Sequence, residues 1–200
     1  MVARIAASHP DVLFVSAYVE DGVALRRAMV TDGLHLLANI GTSSSYCMMP
    51  FGAALGEKAV GLFASDKPDA NALNEQGLTA GARDLLDRAR SAWRDRYHQD
   101  MDAPALAGFS AAWALFRDVM PSAGELTPSG VAAAALSVRI PSGGLPNGSG
   151  LQFGAPGSAD AGANLRAASV IWEWVGVKQR AVVWPPQFAT QPIQAIAIQP

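Results

Sequence analysis

Two short polar stretches each follow an apolar run: AYVEDG at 17–22 and GTSSSY at 41–46. The first offers an aromatic face with a polar tip (Tyr18) and two carboxylates (Glu20, Asp21). The second offers the hydroxyls of Thr42, Ser43, Ser44 and Ser45. A carboxylate pair could do acid–base work, but adjacent residues in an elbow point apart, and an aspartate at such a place caps the following helix. A serine nucleophile needs a base. The three histidines, His9, His35 and His98, are scattered, and His35 precedes the second apolar run, so it falls at the edge opposite Ser43. Nucleophile-elbow, phosphate-loop and zinc-protease patterns are absent, and GSGLQFG at 148–154 lacks the strand before it and the helix after it that a dinucleotide loop needs. Binding remains. Hydroxyls and the unpaired N–H groups of a helix start can hold a polar or anionic group. The residues allow two readings: a ligand-binding edge, or a turn filled by serines with Tyr18 capping the core.

These stretches are positioned by the elements around them. VLFVSA at 12–17 is apolar almost throughout, as suits a parallel strand covered on both faces. A helix follows with Leu25, Ala28 and Met29 on one side, Arg26 and Arg27 outside, Asp21 as cap and Gly33 as stop. A second strand at 36–40, a short helix at 50–59 and a third strand at 60–65 complete βαβ units, which predict a right-handed parallel sheet. Both polar elbows then leave adjacent strands at the carboxyl edge, where open α/β sheets bind ligands.

The texture changes at 66–71. Leu78, Ala82, Leu85, Leu86, Ala89 and Trp93 predict one amphipathic helix, with Asp84 and Arg88 as an i,i+4 pair. Leu106, Phe109, Trp113 and Phe116 predict a second, and Thr127–Pro128 opens a third. Three successive helices suggest a second lobe whose sheet lies mostly outside this sequence. They are expected to pack beside the sheet of 12–65. A loop spans 141–150, LQF at 151–153 reads as a short strand, and SVIWEWVGVKQRAVVWPP reads as a hairpin stopped by two prolines.

The chain has 200 residues, half of them hydrophobic and 16% charged, which fits a globular protein. A net charge of −2 without a basic run argues against a nucleic-acid partner. Cys47 is the single cysteine, so internal disulfides and cysteine-based metal motifs are excluded. No cofactor or metal is expected. The first fifteen residues do not read as a signal peptide.

In order along the chain, HPDVLFVSAYVEDGVALRRAMVTDGL (9–34), ANIGTS (38–43), AVGLFAS (59–65), WRDRYHQDMDAPALAGFSAAWALFRDVM (93–120), NGSGLQFGAPGSADAGANL (147–165) and VIWEWVGVKQRAVVWPP (170–186) resemble the carboxyl-side half of the substrate-binding proteins of branched-chain amino acid ABC importers, the leucine/isoleucine/valine type. The resemblance implies a periplasmic-binding-protein-like fold of two Rossmann-like lobes that close on a ligand without chemistry. It assigns 1–65 and 146–190 to the second lobe, 66–145 to the helical part of an incomplete first lobe, and 191–200 to a tail. It further implies a fragment without its amino-terminal half, an ABC permease as partner, a periplasmic or envelope-anchored location, and Tyr18, Glu20, Thr42, Ser43 and Ser44 as ligand-binding residues. The family's amino acid binders carry an acid in the second loop, where this chain has Thr42 to Ser45. Burying an ammonium without a counter-charge is costly, so amides and short acids are equally open as solutes. A ligand-sensing domain of a receptor or regulator with the same fold is the alternative.

Overall fold

The computed structural model describes residues 1–200. Its chain divides into two compact units, Met1–Asp66 with Ser169–Pro200, and Lys67–Ala168.

The first unit is built on one sheet in the order β1-β2-β3-β4-β5. Strands β1 (Val12–Val15), β2 (Ala38–Thr42) and β3 (Phe63–Asp66) are parallel neighbours, with Val15 opposite Gly41 and Thr42 opposite Ser65. The strands start and end a few residues from the expected bounds, because the apolar run does not reveal where pairing stops. β4 (Val170–Gly176) and β5 (Gln179–Trp184) form the expected hairpin and add antiparallel to β3, which makes the sheet mixed. Helix α1 (Val2–Ala7) packs Val2 with Met29 and Leu34. α2 (Val19–Thr31) and α3 (Met49–Leu55) are the crossover helices, and a 3₁₀ turn at Gly56–Ala59 extends the latter.

Two expectations about α2 are corrected. Its N-cap is Tyr18, in extended backbone, and Asp21 lies inside the first turn, where a carboxylate suits the helix dipole but does not cap. Arg26 does not face solvent: it is 1% exposed, and its Nε and Nη2 donate to the carbonyls of Lys58 (2.8 Å) and Gln199 (2.7 Å). A guanidinium is buried here because two backbone acceptors, one on the 3₁₀ turn and one on the tail, need its donors. The tail is therefore part of the first unit. Gln194 N–H also donates to the buried Glu173 carboxylate at 2.9 Å. Gly33 does end the helix, at φ +63°, with Leu34 N–H reaching back to the Met29 carbonyl at 2.9 Å.

The second unit holds α4 (Ala80–Tyr97), α5 (Ala103–Ala114) and α6 (Pro128–Ser137), capped by the side chains of Thr79, Asp102 and Thr127. α4 buries Ala82, Leu85, Leu86 and Ala89, as its spacing predicts. Arg88 Nε donates to the Asp84 backbone carbonyl at 3.3 Å and not to its carboxylate. On α5 the buried line is Leu106, Ser110 and Ala114, whereas Phe116 beyond it is 65% exposed. α5 is apolar around its circumference, so its pattern left the buried face open, and the small residues took it. A π-helical turn at Leu115–Val119 continues α5. Residues 146–168, expected with the sheet, lie in this unit. Their loops pair with its segment around Ile140 through the bridge Ile140–Leu151, and with each other through Phe153–Asn164. LQF is thus two isolated bridges and not a strand.

Candidate functional site

The parallel strands bring the two polar elbows to one sheet edge. β1 ends at Val15 and β2 at Thr42, and the Ala17 N–H donates to Thr42 Oγ1 at 3.4 Å across the gap between them. Tyr18 is 71% exposed at the start of α2, and Glu20 is exposed within its first turn. No side chain caps α2, so its first N–H groups are left to other partners. Thr42 and Ser43 are half-buried and Ser44 is exposed. The edge thus gathers Tyr18, Thr42, Ser43 and Ser44 from two adjacent strands, with Glu20 on the outer turn.

The serine loop is held from below by buried contacts. Ser45 and Tyr46 N–H groups both donate to the Thr42 carbonyl at 3.1 Å, which folds the chain back after β2. The Tyr46 ring lies where a side chain on Gly41 would be, since a Cβ there would stand 2.0 Å from it. The Tyr46 hydroxyl donates to Asn39 Oδ1 (2.9 Å), and Asn39 Nδ2 donates to the Leu13 carbonyl (3.0 Å), tying loop, β2 and β1 together. Burial pushes the Tyr46 phenol up to about 12, with Arg26 and the Asn39 hydrogen bond pulling it down. Trp174 Nε1 donates to the Tyr46 carbonyl at 2.7 Å, and Phe51 stacks on Tyr46 at 4.3 Å.

Sequence reasoning missed one group at this edge. Asp66, the last residue of β3, is buried, and Cys47 Sγ lies 2.6 Å from its Oδ2 and 2.6 Å from the Ser43 carbonyl, the two acceptors open to its one thiol proton. Arg180 donates to the Cys47 carbonyl and lies over Trp172 at 4.3 Å. A carboxylate and a guanidinium therefore stand behind a loop that has no acid of its own. Nineteen residues separate Cys47 from Asp66 in sequence, and only the β2–β3 pairing brings them together.

Chemically, the edge offers uncharged hydroxyls, an aromatic face and helix-start N–H groups to a small polar molecule. No group of three or more His, Cys, Asp and Glu could hold a metal ion. His35 stands ahead of β2, at the end away from Ser43.

No family model and no curated protein sequence matches the chain. Solved structures do match. A leucine-binding protein from Thermotoga maritima MSB8 superposes with a TM-score of 0.64 at 13% identity, over 90% of this chain and 46% of that one. An extracellular ligand-binding receptor from Rhodopseudomonas palustris HaA2 gives 0.62 at 16% identity, over 90% and 49%. The chain spans about half the length of either. At such identities the likeness is one of fold, and this chain carries about half of the periplasmic binding protein type I fold.

Proposed function

We propose that the chain is a solute-binding component of an ABC importer for branched-chain amino acids or related small polar solutes, working outside the cytoplasm with a permease partner. One observation carries the reading: the Ala17–Thr42 hydrogen bond holds two adjacent strand ends together, so that exposed Tyr18 and the hydroxyls of Ser43 and Ser44 share one edge. The fold shared with a leucine-binding protein and an extracellular ligand-binding receptor supports it. The solute is bound and released unchanged, since the edge pairs no serine with a base.

Tyr18, Thr42, Ser43 and Ser44 contact the solute in this reading, and Glu20 reaches it from the first turn of α2. The matched structures are about twice as long, so further contacts come from the remainder of a two-lobed protein. With each buried hydrogen bond contributing ~1 kcal/mol, half the contacts give weak binding. Calorimetric titration of leucine, valine and their amides tests this on the chain and on a two-lobed form. The two-lobed form binds tightly and loses affinity in Tyr18→Ala. Unchanged affinity in that variant would move the site elsewhere.

The second match, a ligand-binding receptor, also supports a sensing role for the same edge. A fused effector would favour sensing, and a neighbouring permease would favour transport.

A further inference from the structure

The segment 191–200 has no regular secondary structure, yet it is fixed to the first unit at three places. Gln194 N–H donates to Glu173 Oε2 at 2.9 Å. Ile196 passes over Gly61, where a Cβ would stand 2.6 Å from the Ile196 carbonyl oxygen. The Gln199 carbonyl accepts from Arg26 Nη2 at 2.7 Å. All three contacts use the main chain of the tail, and its side chains are mostly exposed.

Two features make this docking costly. Ala195, between the first two contacts, is an exposed residue at φ +49°. Left-handed backbone is unfavourable for a residue with a Cβ, and such strain persists only where neighbouring contacts impose it. Glu173 is wholly buried, and its Oε1 has no hydrogen-bond partner; neither has the buried Gln191 Nε2. Orphaned buried polar atoms carry a penalty that is relieved when water reaches them. Release of the tail removes these costs.

The two side-chain anchors of the tail both act on Tyr46. Glu173 is followed in β4 by Trp174, whose Nε1 donates to the Tyr46 carbonyl at 2.7 Å. Arg26 reaches Tyr46 electrostatically: burial raises the phenol, and the Arg26 charge opposes that rise. Tyr46 and Ser45 N–H groups in turn close the serine loop onto the Thr42 carbonyl. Tail, anchors and loop all belong to the first unit.

We infer that 191–200 is a strap on the serine loop. Docked, it holds Tyr46 and the loop in the shape that receives the solute; released, it loosens the loop and lowers affinity. The affinity clause rests on the sheet-edge reading, whereas the coupling of strap to loop does not.

The test uses the full 200-residue chain and amide hydrogen exchange followed by NMR. Ala195→Pro cannot adopt φ +49° and so releases the strap from an exposed position outside the core. In that variant the Gln194 amide loses its protection, and the Ser45 and Tyr46 amides exchange about fivefold faster or more, while the amides of β2 keep the parent rates. Ala195→Gly suits the left-handed backbone, keeps the strap docked and leaves Ser45 and Tyr46 at the parent rates. Titrated with valine, leucine and their amides, Ala195→Pro binds about fivefold more weakly than the parent. Coupling is reciprocal, so saturating solute slows exchange of the Gln194 amide in the parent by the same factor. Unchanged exchange at Ser45 and Tyr46 in Ala195→Pro, equal acceleration of the β2 amides, or equal acceleration in Ala195→Gly would each overturn the inference. A parent that shows no solute perturbation at 16–20 and 42–46 would sink the sheet-edge reading instead, and the exchange rates would still decide whether the strap governs the loop.

Discussion

Gly22→Ala should destabilise the protein although it puts the best helix former into a helix. Gly22 lies in the second turn of α2, and its amide donates to the Tyr18 carbonyl at 2.9 Å. Alanine for glycine inside a helix ordinarily gains about 1 kcal/mol. Here a Cβ would stand 2.0 Å from Ser45 Oγ, 3.3 Å from Ser45 Cβ and 3.4 Å from Phe51. Ser45 is fully buried under the serine loop, so its hydroxyl has nowhere to swing. Overpacking of this kind costs ~1–3 kcal/mol, which leaves a net loss of up to roughly 2 kcal/mol after the helical gain. Gly108→Ala is the control, since nothing lies within 4 Å of a Cβ there; it should gain about 1 kcal/mol. Ser45→Ala removes the obstructing hydroxyl, which also lacks a hydrogen-bond partner, so the single variant should be neutral or stabilising. The double variant Gly22→Ala/Ser45→Ala should recover most of the loss, a coupling of ~1–3 kcal/mol. Urea denaturation of the four members of the cycle reads these values directly. If Gly22→Ala is as stabilising as Gly108→Ala, α2 does not press on the serine loop and the geometry of the edge is wrong.

The other predictions concern the supports of the same edge. Gly52→Ala would place a Cβ 2.2 Å from the Trp174 ring and should lower the urea midpoint by more than Gly22→Ala does, because both neighbours are fully enclosed. Tyr46 has its phenol raised to about 12 in the folded protein, against an unfolded value near ~10. Its contribution to stability is full below pH ~10 and is lost as pH rises through the folded value, on the order of 2–3 kcal/mol in total. Denaturation from pH 8 to 12 should show this fall, and Tyr46→Phe should flatten it; an identical slope in the variant would contradict the assignment. Arg26→Met leaves the Lys58 and Gln199 carbonyls without their donor and should cost ~2–3 kcal/mol. Limited proteolysis should then cut within 191–200 faster than in the parent; equal rates would show that Arg26 does not hold the tail.

The parallel core of the sheet was legible in the sequence because its signal is local and strong: three apolar runs spaced by helix-length segments. The closing hairpin was legible for the same reason, with a polar turn between two apolar runs and two prolines after them. Arg26 was misplaced because a charged residue in a helical pattern reads as solvent-facing unless its acceptors are known, and one of them is 173 residues away. The face of α5 was misread because alanines surround it, so the large aromatics drew the helical wheel toward themselves. The glycine-rich loops after 146 carry no periodicity and pair only through isolated bridges, so their sequence did not reveal which compact unit they join. At the candidate site, the type and order of Tyr18, Thr42, Ser43 and Ser44 could be read directly. The support from Asp66, Cys47 and Arg180 could not, because it depends on which strands lie side by side.

The most direct test of the account is an NMR titration of the chain with leucine, valine and their amides. Perturbations should appear at 16–20 and 42–46, with millimolar affinity, and should shrink in Tyr18→Ala and in Ser43→Ala. No perturbation at that edge under saturating solute, or perturbations that fall elsewhere and survive both substitutions, would contradict the claim that these strand ends hold the solute.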